Sequence, residues 1–285
     1  MEVLIWKLLG VHFKTKRHFR VGSIMYNMFS PSRRSVYVAI FALSIVGVLV
    51  GVAYASHSWG NYHWAGTANP FNLKLGDNVS STWDSYLNTT SSDWSLSSVL
   101  DTTVVAGSVN PKTCRPVSGK VQVCNAKYGN NGWLGVASIW ASGDHITQGT
   151  VRVNDTYFST TKYNTPVWRN LVMCQEVGHT LGLDHQDEDF GNPPLGTCMD
   201  YTSDPTPNQH PNQHDYDQLE AIYAHLDSTT TVSASSVRSP VADVDASDRS
   251  EWGKEVRHSA DGRSSLYERD LGQGHKVFTF VFWAN

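Results

Sequence analysis

Residues Cys174–Asp189 read CQEVGHTLGLDHQDED, and the spacing of the polar residues in this run decides how the chain folds. In a helix, residues four apart project from one face, one turn apart. Gln175 and His179 therefore point together, with Glu176 beside them. Gly182 suits a helix end, where the chain needs a left-handed residue. The sharp turn it permits can bring His185 back toward the same point. Three donors around one position, with a carboxylate alongside, is the arrangement of a metal site that keeps one coordination position open. A metal there lowers the pKa of bound water to about 7, and Glu176 can accept the proton.

The flanking sequence supports the helix. Thr165 can cap it, Pro166 suits its first position, and Val167, Leu171, Val172 and Leu181 supply much of an apolar face. Upstream, VLDTTVVAG (99–107), KVQVCNAKY (120–128), WLGVASIWASG (133–143) and TQGTVRVNDTYF (147–158) alternate and are rich in Val, Ile, Thr and aromatic residues. They predict strands of one sheet. A short amphipathic helix is expected over 78–94, with Asp77 and Asn78 as caps, after an irregular lead-in ending near Gly76. Residues 183–211 are loop-like. NQHDYDQLEAIYAHLD (212–227) predicts a second amphipathic helix with Leu219, Ile222, Tyr223 and Leu226 on one face.

With these residues in place, QEVGHTLGLDH followed by TCMDY (197–201) resembles the metzincin clan of zinc metalloproteases, which joins an extended zinc signature to a Met-containing turn. The resemblance covers roughly residues 75–228. It implies an α+β fold, a mixed twisted sheet with an active-site helix, a Met-turn and a C-terminal helix. It further implies Glu176 as general base, His179 and His185 as zinc ligands, Gly182 as the helix-ending glycine, Met199 as the Met-turn methionine and Tyr201 as a tyrosine near the metal. The implied activity is zinc-dependent endopeptidase cleavage of a protein or peptide. A catalytically inactive metal-binding or protein-binding domain on the same scaffold is the alternative, and a hydrolase of non-peptide amides is a third reading.

The departure is Gln175, which stands where the signature has its first histidine. Its carbonyl oxygen can ligate a metal but is a poorer zinc donor than imidazole. Three readings follow: Gln175 is the third ligand; His210, His214, Asp184, Asp187, Glu188 or Asp189 completes the shell; or the site is degenerate. The intact Glu176 and Met199 place the first reading ahead of the others. The acidic run Asp184–Asp189 also makes Ca2+ a candidate cofactor. The strand run 133–143 is expected to border the cleft, where an edge strand can pair with an extended peptide. His145 is read as structural.

The rest of the chain bounds the setting. With 285 residues, 40% hydrophobic residues and a formal charge of -4, the chain has no basic field for nucleic acid. Residues 1–35 are basic, and 36–55 form an uncharged run long enough to cross a bilayer, a signal peptide or signal-anchor helix. The expected layout is then a catalytic domain over 56–228, a Ser-rich linker over 229–250 and a tail over 251–285. That tail contains a possible β-hairpin around LGQG (271–274), paired with the main sheet or standing apart as an appendage. The chain beyond 55 would lie outside the cell, secreted or anchored through 36–55. The segment from Ser56 to about Gly76 could cover the cleft. An even count of exported cysteines favours disulfides. Cys114 and Cys124 flank a turn-plus-strand segment and suit one bridge, which leaves Cys174 with Cys198 on either side of the signature.

Overall fold

Period-two alternation builds most of this protein. The computed structural model describes residues 57–233, 244–246 and 248–284; the basic N-terminus, the apolar run 36–55 and the middle of the Ser-rich stretch lie outside the described residues. The strands are β1 (His63–Trp64), β2 (Phe71–Asn78), β3 (Leu100–Ala106), β4 (Lys120–Ala126), β5 (Trp133–Ser142), β6 (His145–Asn154), β7 (Lys254–His258), β8 (Ser264–Gly272) and β9 (His275–Trp283). The helices are α1 (Asp84–Trp94), α2 (Asp155–Phe158), α3 (Pro166–Thr180) and α4 (Gln213–Ile222). Among the described residues the strands join one sheet in the order β3-β2-β4-β6-β5-β9-β8-β7, with β1 beside β6. β2, β3, β4 and β6 run parallel, whereas β5 is antiparallel to both β6 and β9. A mixed sheet with few helices is the α+β arrangement the sequence led us to expect. Among the described residues no helix is long and apolar enough to cross a membrane.

Four details differ from the sequence expectations. The lead-in is not irregular throughout: Phe71, Leu73 and Leu75 alternate into the core along β2. Asp77 and Asn78 end that strand and do not cap a helix; α1 starts at Asp84 without a side-chain cap. α4 stops at Ile222, so Leu226 falls outside it and is exposed. The tail joins the main sheet, one of the two courses expected for it, and adds a third strand that was not expected. Residues 254–283 are three strands of the main sheet, and β9 pairs with β5 along its length, from Trp133 opposite Trp283 to Ser142 opposite His275. β5 is therefore an interior strand, and the edge expected to receive a peptide is already filled. The hairpin turn is the expected one, with Gly272 opposite His275.

α3 lies against β5 and β6, and Leu171, Val172 and Val177 are fully buried. Each such side chain contributes about 1.5–3 kcal/mol by leaving water. Its start follows the sequence: Thr165 accepts a hydrogen bond from the Trp168 backbone N–H, and Pro166 takes the first position. Its end is a Schellman motif, with Leu183 N–H bonded to the Gly178 carbonyl and Gly182 N–H to that of His179. Gly182 has φ +98°, and a Cβ there would lie 2.7 Å from the Tyr62 carbonyl oxygen.

A helix end leaves carbonyls without intrahelical partners. Here they are met by side chains from distant segments. Trp59 Nε1 donates to the His179 carbonyl, Trp64 Nε1 to that of Thr180, and the Tyr223 hydroxyl to that of Leu181. The lead-in and the segment after α4 are thus latched to the end of the signature helix.

Candidate metal centre

The signature residues are buried. Gln175, Glu176 and His179 have 0%, 1% and 1% exposure, and His185 has 8%. His179 and His185 stand edge to face with ring centroids 4.5 Å apart. His179 Nδ1 lies 2.9 Å from the Leu183 carbonyl oxygen. A carbonyl only accepts, so Nδ1 carries the proton and Nε2 is left bare, the form a metal ligand needs. Burial, reinforced by the neighbouring His185, holds the His179 pKa well below the usual histidine value. The ring is therefore neutral at pH 7.

Gln175 is oriented by its surroundings. Its Nε2 donates to the Cys198 carbonyl at 2.9 Å, which fixes the amide and turns Oε1 the other way. That Oε1 is buried and has no hydrogen-bond partner. A buried carbonyl oxygen without a partner costs about 1–3 kcal/mol, and a cation is one way to satisfy it. The residue that orients Gln175 is itself held, because Cys198 is disulfide-bonded to Cys174, with Cα atoms 5.9 Å apart. The other pair, Cys114–Cys124, is also bridged.

Glu176 packs on β5. The Ala137 backbone N–H donates to its carboxylate, and a Cβ at Gly135 would collide with that carboxylate. Oε2 is buried without a partner. Burial raises the Glu176 pKa well above the ordinary carboxylate value, more than the Ala137 contact lowers it. A carboxylate so placed is a strong proton acceptor when it is ionised.

Met199 lies beneath the helix: a Cβ at Gly178 would come within 2.5 Å of its sulfur. The turn that carries it is pinned, since Gln186 N–H donates to the Met199 carbonyl at 2.6 Å and Tyr201 N–H to that of Asp187 at 3.3 Å. Tyr201 is buried with its ring centroid 3.9 Å from that of His185 and stacked on Phe190.

The other candidate ligands have partners of their own. His210 pairs with Asp93 at 2.7 Å, and His214 stacks on His57. Asp184 and Glu188 both contact Arg257 and lie 3.5 and 3.7 Å from His185 Nδ1. Burial opposes ionisation of Asp184, but His185 and Arg257 override it and hold its pKa well below the usual range. Asp187 and Asp189 accept backbone N–H groups of their own loop. Arg257 thus takes up two carboxylates of the acidic run.

Sequence reasoning missed the cover of this site. Phe278, Phe280 and Phe282 alternate along β9 and face α3. Phe280 stacks on His179 with centroids 4.2 Å apart, Phe278 packs on Trp59, and Phe282 lies 6.0 Å from Tyr201. The period-two run VFTFVFW was a legible strand signal. Nothing in it said which neighbour the strand would choose.

No family model matches the chain, and no curated protein sequence matches it. Among solved structures it is similar to high choriolytic enzyme 1, a hatching enzyme zinc-protease from Oryzias latipes (medaka fish), with 8% sequence identity, 58% of this chain and 96% of that chain covered, and a TM-score of 0.32. A likeness of that size assigns this chain neither a fold family nor an activity.

Proposed function

We propose that this chain is a metzincin-like, zinc-dependent endopeptidase, exported and either secreted or anchored through residues 36–55. The observation that carries the reading is the buried Gln175 Oε1, which lacks a hydrogen-bond partner and lies one helical turn from a neutral His179. Gln175, His179 and His185 would hold the ion. Zinc bound there would act as a Lewis acid toward a peptide carbonyl and make water acidic enough to be deprotonated near pH 7. Glu176 Oε2 takes that proton and returns it to the leaving amine. The Cys198 carbonyl keeps the Gln175 amide in register, so a weak ligand is not also a mobile one. The two disulfides and the charge pattern around 36–55 support an oxidising, extracytoplasmic setting.

One observation favours a second reading, a zinc-holding domain without turnover. β9 fills the β5 edge and Phe280 covers His179, so an extended substrate needs that strand to give way. Zinc analysis of the full-length chain, combined with peptide-library cleavage by wild type and Glu176→Ala, tests both. Zinc with cleavage that the variant loses supports the peptidase. Zinc without cleavage supports the second reading, and a chain whose zinc content does not depend on His179 sinks both.

A further inference from the structure

A second group of histidines lies outside the signature. His63 is on β1, His145 opens β6, and His225 and Asp227 follow α4. In the β1–β6 pairing, His63 and His145 stand directly opposite each other. His63 Nε2 is 3.1 Å from His225 Nε2 and 3.5 Å from Asp227 Oδ2. His145 Nε2 is 3.2 Å and His225 Nε2 3.9 Å from Asp227 Oδ1. We propose that His63, His145, His225 and Asp227 form a second, structural zinc site.

Spacing, tautomer, support and charge all favour an ion here. The first is spacing: ligand atoms about 2.0–2.1 Å from a tetrahedral zinc lie about 3.3 Å from one another, the four separations given above bracket that value, and His63, His145 and Asp227 present ligand atoms all within 4.8 Å of one another. The second is the tautomer. His63 Nδ1 is 2.7 Å from the Asn61 carbonyl oxygen, so the proton sits on Nδ1 and Nε2 faces the cluster as a bare donor. The third is the support behind the carboxylate. Gly66 N–H donates to Asp227 Oδ2 and Asp227 N–H to the Gly66 carbonyl, so Asp227 is held in place before any ion arrives. The fourth is charge. Among the described residues the ion-pair partners of Asp227 are these three histidines. The Asp184–His185–Glu188 group differs, because Arg257 already supplies its cation.

Three imidazoles and one carboxylate are a donor set suited to zinc, and four protein ligands close the shell, as in structural sites. The ion has a way in. The His145 and His225 side chains are 38% and 55% exposed, and the cluster borders a cleft of about 490 Å³ lined by His63, Asp144, Gln218, Ile222 and His225. Bound there, zinc would staple the segment after α4 to β1 and β6. His145, read from sequence as structural, becomes a ligand in this assignment.

The test is zinc stoichiometry and thermal stability of the full-length chain, stripped with a chelator and titrated with Zn2+ alone. The comparison is with His145→Ala/His225→Ala, which alters the two exposed members of the cluster, and with His179→Ala. The proposal expects wild type to bind one equivalent more than the double variant, with affinity for that equivalent falling by more than roughly 100-fold. It also expects zinc to raise the wild-type melting temperature more than that of the double variant. Equal stoichiometry and affinity in the two proteins would overturn it. So would an equivalent lost only in His179→Ala, an outcome that leaves the proposed function standing. An equivalent lost only in the double variant supports this site and sinks the zinc ligation of the signature. Far-UV circular dichroism identifies a misfolded variant, and His225→Gln, a more conservative change on the most exposed ligand, then replaces it with the same expected loss of the equivalent.

Discussion

The chain carries two histidine clusters that differ in almost every physical respect. The signature cluster comes from one continuous stretch on and just after α3, is closed from solvent by β9, and has an amide where a third imidazole would be expected. The His63 cluster draws on three distant segments, reaches solvent through His145 and His225, and has three imidazoles around one carboxylate. The difference separates two ways of building a site. A helix fixes the relative placement of neighbouring ligands locally. A sheet register places residues far apart in sequence side by side, and only the fold specifies it.

The contrast can be broken at either cluster, and the largest effect is at Glu176. Glu176→Ala should lower peptide cleavage by about 10²–10⁴-fold, the usual contribution of a general base, while zinc content stays near wild type. Steady-state cleavage with parallel metal analysis reads both, and an unchanged rate removes Glu176 from the chemistry.

The disulfides come next. Losing either bridge should cost about 2–5 kcal/mol in denaturant unfolding. Only Cys174→Ser/Cys198→Ser should also weaken zinc binding at the signature, because Cys198 orients Gln175. If Cys114→Ser/Cys124→Ser weakens zinc equally, the link between bridge and ligand is wrong.

Gln175→Ala should lower zinc affinity at the signature by about tenfold or more, since even outer-shell losses cost 10–100-fold. Gln175→His should raise it, imidazole being the better donor. Competition with a fluorescent chelator measures both, and indifference to the residue means that Gln175 is no ligand. Gly182→Ala should cost about 1–3 kcal/mol, from a left-handed backbone and the close Tyr62 carbonyl.

The smallest effect is in pH. In the metal-free protein the Glu176 pKa is raised above its ordinary value of 4.5, so the folded state holds a proton that the unfolded state releases. Its contribution to stability therefore falls as pH rises above that value. Glu176→Gln should melt a few degrees higher than wild type at pH 7, and the gap should close below about pH 4. A gap independent of pH would mean that the carboxyl is not desolvated.

Much of the signature helix was legible. Thr165, Pro166 and Gly182 act where capping rules place them, because caps depend on bonds within a turn or two. The Gln175–Glu176–His179 face follows from helix periodicity in the same way. β2 was legible too, from Phe71, Leu73 and Leu75, and was missed because Gly and Pro residues surround it. The cover of Phe278, Phe280 and Phe282, the Arg257 contacts to Asp184 and Glu188, and the meeting of His63 with His145 were not legible. Each joins residues separated by dozens of positions or more.

The sequence by itself determined the local chemistry: a helix with an amide, a carboxylate and a histidine on one side, ended by a glycine and followed by a second histidine. These are consequences of dihedral preferences and short-range hydrogen bonds. Only the tertiary structure decided that the C-terminal strand lies on β5 and places Phe280 against His179, and that three scattered histidines share one aspartate. Strand order and register are chosen by the burial and pairing of whole faces at once, so no short stretch of chain contains that choice.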